Sequence, residues 1–400
     1  MNSYKSARRV LAAGRGDVRK KLALTVTLAA LLAPASTQAQ NAYVTNLSSS
    51  TVSAIDTATD AVIATIPVGL LPSIGVANPD GSKVYVIRLP SNTVQVIDTA
   101  TNTVSAAIVF AAPGAIPRSE AVSPDASKVY VSSAPPLSPV GSPGSAIVSV
   151  IDTATTAVVA TIPIGDQSTL QPAGMGVTPD GSKVYVAVDD ILSGSLSVVD
   201  TATNAVSATI PLGAGPAQGV AVSHDGSKVY AASGGTISVI DTATDTVSAR
   251  IPVRGLKLAG TPDGSKVYVT NGAPLNTVSV IDTATNTVSA TIPVGADPSG
   301  VAVTPDGSKV YVGNFGSNTV SVIDTATNTV SATIPVGSAP NHVSIQRDPR
   351  FAGVPGSNNC QGASVSALAV KFNGLDAAAA AFGFSTVQGL HDAIRAFCGG

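Results

Sequence analysis

Short runs in which apolar and polar residues alternate recur through most of the chain. The clearest run, Thr277–Gly295, reads TVSVIDTATNTVSATIPVG and returns almost unchanged at Thr319–Gly337. Apolar residues at every second position are typical of a strand with one buried face, and Val, Ile and Thr favour extended backbone. Asp-Thr-Ala-Thr-Asn and Pro-Asp-Gly separate the runs, and their short polar side chains favour turns. The pattern therefore predicts many short strands joined by tight turns.

Seven repeats are marked by the aspartate of an IDTAT or VDTAT phrase. These markers are Asp56, Asp98, Asp152, Asp200, Asp241, Asp282 and Asp324. Successive markers lie 42, 54, 48, 41, 41 and 42 residues apart. Each repeat divides into four strand-like pieces, such as GVAVTPDG, KVYVGN, TVSVIDTAT and TVSATIPVG. Four strands in about forty residues predict the blade of a β-propeller, with a β-solenoid as the structural alternative.

The two ends of the repeat region are out of phase. Ala42–Asn46 is the second piece of a repeat, whereas Asn341–Ile345 is a first piece. The C-terminal strand is therefore predicted to complete the blade that the N-terminal strand begins, which leaves no exposed sheet edge at the junction. The predicted fold class is all-β: a seven-bladed β-propeller of four-stranded antiparallel blades over residues 40–349, followed by a small α-helical appendage at 350–400.

These phrases resemble those of a known family. AYVTN, KVYVTN, PDGSKVYV and VIDTATNTV are typical of the YVTN-type seven-bladed β-propellers of the exported bacterial type, and the resemblance covers residues 42–348. It implies the propeller fold and an extracytoplasmic setting. It implies little about activity, because related proteins include surface-layer components, propellers that bind nucleic acid and lactonase-like enzymes.

Residues 1–39 are predicted to be a cleaved signal peptide. Seven Lys and Arg residues precede an apolar run of 13 residues, Leu22–Pro34, and small residues follow before Ala39. The run is shorter than the ~20 residues that span a bilayer, so a membrane anchor is the less favoured alternative. We therefore expect a periplasmic or secreted protein without a membrane span.

Removal of the signal peptide would change the charge. The remaining chain has 15 basic and 23 acidic residues, a formal charge of −8, compared with −2 for the full chain. Broad binding to nucleic acid or to anionic lipid needs clustered Lys and Arg. Nucleic acid is therefore not an expected partner.

The cysteines and histidines predict a disulfide and no metal site. Cys360 and Cys398 are the two cysteines, and in an exported chain such a pair is expected to form one disulfide. Three histidines lie far apart and no Cys-x-x-Cys occurs, so no metal or cofactor is predicted. A nucleophile elbow, a P-loop and His-Glu-x-x-His are also absent from the sequence.

The repeats differ mainly in two sets of connections. Because adjacent strands are antiparallel, the turns after the first and third pieces lie on one face of the disc, and the connections after the second and fourth pieces lie on the other. The first set barely varies, whereas the second set varies in length and composition. Functional groups commonly lie on variable loops held by a rigid frame. We call the variable side the upper face and expect it to bind a partner.

The first pieces are predicted to line the central channel. Gly174, Gly219 and Gly300 suit the tight packing there, but other repeats place polar groups at or beside this register. The predicted ligand-binding residues of the channel mouth are Arg118, Glu120, Gln218, Lys257, Asn341 and His342. Arg and Lys at a channel suit a small anion such as a carboxylate or a phosphate. Ordinary surface charge around a water-filled tunnel is the alternative.

Two structural interpretations accompany this site. Each marker aspartate is predicted to cap its own Thr-Ala-Thr turn rather than to form a metal ring. The tyrosines of the VYV phrases are predicted to pack between blades with satisfied hydroxyls. They are Tyr85, Tyr130, Tyr185, Tyr230, Tyr268 and Tyr311.

The predicted function is a non-catalytic, monomeric binding or scaffold protein. Its upper face would bind a protein or a small anionic ligand. The alternative is a lactonase-like hydrolase at the channel mouth, in which Glu120 and His342 could form an acid–base pair. Periplasmic binding to nucleic acid is less favoured, because it needs a basic surface stripe.

Overall fold

A computed structural model describes residues 40–89, 91–110, 116–134, 146–165, 171–190 and 193–346, together with residues 375, 379, 384 and 386–397. The predicted signal peptide, the predicted Cys360–Cys398 disulfide and most of the predicted C-terminal unit lie outside these described residues. So do parts of the long upper-face connections of the second to fourth repeats.

Within this part of the chain, 28 strands form seven four-stranded antiparallel sheets. Blade 1 combines both ends of the repeat region; its strands, from the channel outwards, are β28 (Pro340–Ile345), β1 (Asn41–Asn46), β2 (Thr51–Asp56) and β3 (Ala61–Pro67). Blade 2 contains β4 (Pro72–Ala77), β5 (Lys83–Arg88), β6 (Thr93–Asp98) and β7 (Thr103–Val109). Blade 3 contains β8 (Ile116–Val122), β9 (Lys128–Ala134), β10 (Ala146–Asp152) and β11 (Val158–Gly165).

The remaining four blades follow in chain order. Blade 4 contains β12 (Gln171–Val177), β13 (Lys183–Asp190), β14 (Ser193–Asp200) and β15 (Ala205–Ala214). Blade 5 contains β16 (Ala217–Val222), β17 (Lys228–Ser233), β18 (Thr236–Asp241) and β19 (Thr246–Ile251). Blade 6 contains β20 (Leu258–Gly260), β21 (Lys266–Asn271), β22 (Thr277–Asp282) and β23 (Thr287–Pro293). Blade 7 contains β24 (Pro298–Val303), β25 (Lys309–Asn314), β26 (Thr319–Asp324) and β27 (Thr329–Pro335).

The predicted ring closure is confirmed. Strand β28 pairs antiparallel with β1, with Val343 opposite Val44 and Ile345 opposite Ala42. The Gln346 amide extends the pairing by donating to the Asn41 carbonyl at 2.8 Å. The first and last blades therefore meet through a sheet that contains both ends of the repeat region.

The hydrophobic core lies between the blades. In one cluster, Tyr268, Val278 and Val280 of blade 6 pack against Val301 and Val310 of blade 7. The second strand of a blade is buried along most of its length, whereas the outer strand exposes most of its residues. Burial of each Val or Ile side chain stabilises the fold by about 1.5–3 kcal/mol, so the blades hold one another in place.

The tyrosines of the second strands bridge neighbouring blades, as predicted. Four of these hydroxyls donate to a side chain in the next blade's turn between its third and fourth strands. The resolved pairs are Tyr43–Asn102 (2.9 Å), Tyr185–Asp245 (2.6 Å), Tyr268–Asn328 (3.1 Å) and Tyr311–Asp60. Tyr85 and Tyr230 depart from the prediction, because their buried hydroxyls have no hydrogen-bond partner among the described residues.

The marker aspartates cap their own turns, as predicted. Asp324 accepts hydrogen bonds from the Thr327 amide at 2.8 Å and from the Thr327 hydroxyl at 2.9 Å. These bonds hold the pKa of Asp324 below its ordinary value. The other six markers make the same kind of bond to the threonine three residues later. Their carboxylates are therefore engaged by their own turns.

One helix, α1 (Val387–Phe397), is described near the C-terminus. The Thr386 hydroxyl caps its first turn by accepting a hydrogen bond from the Gly389 amide at 3.1 Å. Leu390 and Ile394, four residues apart, are both buried, as expected for one face of a helix. Within the described residues, no helix is long and apolar enough to cross a membrane.

Candidate functional site

The central channel is lined by the innermost strand of each blade. Each of these strands contacts the innermost strands of the blades on either side. Each inner strand, or in blade 6 the residue directly before it, contributes one residue that stands two positions before the partner of the blade's tyrosine. We call these seven residues the channel layer: Ile74, Ser119, Gly174, Gly219, Lys257, Gly300 and His342.

Three glycines of the channel layer allow neighbouring strands to approach closely. A Cβ added to Gly219 would lie 2.5 Å from the Leu256 carbonyl oxygen, and one added to Gly174 would lie 2.8 Å from the Gln218 carbonyl oxygen. A Cβ at Gly300 would lie 2.6 Å from the Cα of His342. Backbone atoms at these distances cannot move aside cheaply. Lys257 and His342 are therefore exceptions in a layer built largely from small residues.

Lys257 reaches across the channel-lining strands. Its Nζ donates to the Ala173 carbonyl in β12 at 3.0 Å and to the Gln218 carbonyl in β16 at 3.4 Å. The side chain is enclosed by protein but keeps some accessible surface, as expected for a group that lines a channel. Burial lowers the pKa of Lys257 to about 8. Among the described residues, no carboxylate lies within ion-pair distance of this ammonium.

His342 occupies the same layer on β28. Burial, followed by the nearby charge of Lys257, lowers the pKa of His342 to about 4, and the Gly75 carbonyl only partly opposes this effect. The imidazole is therefore neutral at pH 7. Its Nδ1 is buried and has no hydrogen-bond partner in the described part of the chain. The structure thus brings Lys257 and His342 close enough to interact electrostatically.

Asn341 and Gln218 lie one register position before the channel layer. The Asn341 amide donates to the Ser73 carbonyl at 2.7 Å, and its oxygen accepts a bond from the Ser299 hydroxyl at 3.4 Å. Asn341 therefore links blades 7, 1 and 2 around the mouth. Gln218 contributes its backbone carbonyl to Lys257.

Arg118 supplies a second cation, on the inner strand of blade 3. It lies on β8 and is half-buried, with a buried Nε that has no acceptor among the described residues. Strand β8 adjoins β12, whose Ala173 carbonyl receives the Lys257 ammonium. The structure therefore brings the Lys257 ammonium to the strand next to the one that carries Arg118.

The prediction that Glu120 lines the mouth is wrong. Its side chain is only 4 % exposed and lies between blades 2 and 3, beside Val76 and Tyr85. Glu120 occupies the register that Val301 and Val220 hold in other blades, where an aliphatic side chain packs against the neighbouring sheet. Burial raises the pKa of Glu120 well above its ordinary value. The backbone of Val76 opposes this effect in part.

Glu120 and His342 do not form the acid–base pair considered from the sequence. Neither carboxyl oxygen of Glu120 has a hydrogen-bond partner among the described residues, and the same holds for Nδ1 of His342. Glu120 lies beside Val76, and His342 lies near Gly75 and Lys257. The two side chains thus approach neighbouring residues of β4 without a hydrogen bond between them.

Two threonines that the sequence analysis did not single out hold the channel layer. Thr45 accepts a bond from the His342 amide at 3.1 Å and donates to the Ser73 carbonyl at 3.1 Å. Thr270 accepts from the Lys257 amide at 3.2 Å and donates to the Ser299 carbonyl at 2.8 Å. Each threonine thus joins its own inner strand to that of the next blade.

A sequence signal for these threonines exists. Only the second strands of blades 1 and 6 have threonine at this position; the other blades have Ile87, Ser132, Ala187, Ala232 and Gly313. Blades 1 and 6 are also the blades whose layer residues are His342 and Lys257. The YVTN phrase therefore coincides with the two ionisable residues of the channel layer.

Comparisons with known proteins support the fold. A chain of Kuenenia stuttgartiensis hydrazine synthase has 23% sequence identity and a TM-score of 0.59, over 70% of this chain and 91% of that chain. A functionally unknown protein from Desulfotomaculum acetoxidans has 15% sequence identity and a TM-score of 0.61, over 77% of this chain and 99% of that chain. At such identities the similarity shows the propeller fold alone.

No protein-family model and no curated protein matches the chain. Membership of the YVTN-type family therefore stays a prediction from the repeated phrases.

Proposed function

We propose that this chain is an exported, non-catalytic binding protein that holds a small carboxylate- or phosphate-bearing ligand at the upper mouth of its channel. The observation that carries the proposal is the environment of Lys257. Its enclosed ammonium contacts two backbone carbonyls and no described carboxylate.

An enclosed cation without a counter-ion is costly, because burial removes much of its hydration. A ligand anion at Nζ would offset this cost. The two carbonyls accept hydrogen bonds but supply no full negative charge. Arg118, half-buried nearby, provides a second donor with the planar geometry that suits carboxylate and phosphate groups.

A binding role fits the described residues better than hydrolysis. An enzyme of the lactonase-like kind needs ionisable groups within hydrogen-bond reach of one another or of a shared water. Glu120, the carboxyl group considered for this task, is buried between blades, and neither of its carboxyl oxygens has a hydrogen-bond partner among the described residues. Export rests on the sequence of residues 1–39, and the repeated-phrase resemblance supports the same setting.

Calorimetric titration with acetate and with inorganic phosphate tests the proposal. Lys257→Met should weaken binding at least tenfold, because a hydrogen bond to a charged group contributes about 1.5–3 kcal/mol. Lys228→Met is the matched control, since Lys228 donates to the Thr283 carbonyl at 3.2 Å on the opposite face. It should bind both anions as the wild type does.

Arg118→Gln separates a two-point site from a single cation. We expect this variant to bind both anions less tightly, with the larger loss of affinity for phosphate. Higher salt should also lower the affinity of the wild type for both anions. Anion affinity unchanged in Lys257→Met would refute the site, provided that the variant melts cooperatively.

A further inference from the structure

We propose that Lys257 captures a carbonyl group covalently, so that the ligands of the channel mouth are small oxo acids. The carbonyl carbon would form a reversible imine with Nζ of Lys257, while the ligand's carboxylate binds Arg118. This inference rests on the proposed anion-binding function and narrows it to one chemical class.

Lys257 differs in its surroundings from the lysines that begin the second strands. Lys183 and Lys309 each lie 2.8 Å from an aspartate carboxylate. Lys266 and Lys228 donate to turn carbonyls on the face opposite the mouth. Lys257 alone among these five enters the channel layer.

The hydrogen bonds of Lys257 leave room for a reactant. An ammonium has three N–H donors, and the two carbonyls at 3.0 and 3.4 Å engage at most two of them. The neutral amine would have a lone pair in place of one N–H. Because the side chain keeps some accessible surface in the channel, that lone pair can meet a carbonyl carbon that enters from the mouth.

The electrostatics of the layer favour the nucleophilic form. A lysine of ordinary pKa, 10.5, is almost fully protonated at pH 8, whereas burial brings the pKa of Lys257 to about 8. About half of the amine is then neutral. Lysines desolvated in this way are the ones that proteins use to form Schiff bases.

The reaction needs no oxidant or reductant. The Nζ lone pair adds to the carbonyl carbon, a C–N bond forms, and one nitrogen-bound hydrogen passes to the former carbonyl oxygen. The resulting hydroxyl then leaves as water with the second nitrogen-bound hydrogen, which gives the imine. Solvent protonates the imine nitrogen. Amine and oxo acid thus give imine and water, and addition of water reverses the reaction.

An oxo acid is the ligand class that uses both cations. Its carboxylate suits the guanidinium of Arg118, and its carbonyl suits the amine of Lys257. The ligand must be small, because Gly174, Gly219 and Gly300 hold the inner strands close together at this layer. A simple carboxylate would use the anion contacts without forming the covalent bond.

Reductive trapping with glyoxylate and cyanoborohydride at pH 8 tests the inference. Peptide mass spectrometry should find Lys257 modified at least tenfold more than any of Lys83, Lys128, Lys183, Lys228, Lys266 and Lys309. Lys257→Arg, which keeps the cation but cannot form an imine, should lose the fast-labelled site. Lys228→Arg should keep it. Acetate in excess should slow the labelling of Lys257.

The outcomes separate the two proposals. Calorimetry could show acetate binding that depends on Lys257 while labelling is spread evenly over the lysines. That result overturns carbonyl capture and leaves the anion site in place. Lys257 could instead be labelled rapidly while acetate neither slows the labelling nor binds in the calorimeter. That result overturns the anion site, and with it the oxo-acid class. Selective labelling that acetate slows supports both.

Discussion

The ammonium of Lys309 in blade 7 lies 2.8 Å from the carboxylate of Asp60 in blade 1. Tyr311 donates its hydroxyl hydrogen bond to the same carboxylate, so one aspartate receives two donors across the seam where the ring closes. Lys183 and Tyr185 engage Asp245 in the same way between blades 4 and 5. Elsewhere an asparagine accepts the tyrosine bond instead, as Asn328 does from Tyr268.

Asp60→Ala should lower the free energy of unfolding by about 2 kcal/mol, because it removes a charged acceptor from a tyrosine hydroxyl. Asp60→Asn should cost less than about 1 kcal/mol, since asparagine keeps an acceptor and a partly exposed ion pair contributes little. Urea unfolding measures both. Asp245→Ala and Asp245→Asn provide the matched pair within the ring. Equal losses for Asp60→Ala and Asp60→Asn would contradict the dominance of the hydroxyl bond.

Gly219→Ala should destabilise the propeller by about 1–3 kcal/mol. The added methyl group would lie 2.5 Å from the Leu256 carbonyl oxygen and 2.7 Å from a methyl carbon of Leu258, so two inner strands would have to separate. Gly260→Ala is the control, because its Cβ would find the nearest atom at 3.9 Å. That variant should unfold at the wild-type denaturant concentration or higher. A similar loss in both variants would show that strand spacing is not the cause.

The blades and their closure could be predicted from the sequence because they depend on periodic patterns. Seven copies of the same four-piece phrase specify the strands, and the out-of-phase ends place Asn341–Ile345 beside Ala42–Asn46. The turn caps were predictable for the same reason, since Asp324 and Thr327 are three residues apart and their bond is local.

The facing of individual side chains at the channel was harder to predict. A shift of one residue along a strand moves a side chain to the opposite face, and this separates Glu120 from its neighbour Arg118. Comparison with Val220 and Val301 would have indicated the buried register for Glu120. The path of Lys257 across two strands depends on a long, flexible side chain and on tertiary packing, which a local pattern does not encode.

Glu120→Val should raise the free energy of unfolding at pH 8 by about 1–3 kcal/mol. It replaces a buried carboxyl group, which has no hydrogen-bond partner in the described part of the chain, by the valine that blades 5 and 7 use at this register. Denaturant unfolding measures the difference. Glu120→Gln keeps a buried polar side chain but cannot ionise, so it separates the cost of burying a charge from the cost of burying a polar group.

The pH dependence of this gain follows from the raised pKa of Glu120. The folded state holds the proton more tightly than the unfolded chain, so wild-type stability is fullest below the ordinary pKa of 4.5 and falls as pH rises toward the raised value. The advantage of Glu120→Val should therefore shrink from pH 8 to pH 4. An advantage that does not change with pH would show that Glu120 has the same pKa in the folded and the unfolded chain.

His342 should make the propeller less stable in acid. The pKa of His342 is about 4 in the folded chain and 6.5 ordinarily. Between pH 6.5 and pH 4, the imidazole is therefore protonated in the unfolded chain but neutral in the folded chain. The stabilisation from the neutral imidazole is complete above pH 6.5 and is lost as pH falls toward 4, by up to roughly 3 kcal/mol. Urea unfolding at several pH values should show a shallower acid slope for His342→Gln than for the wild type. A wild-type slope in His342→Gln would assign the acid sensitivity to other groups.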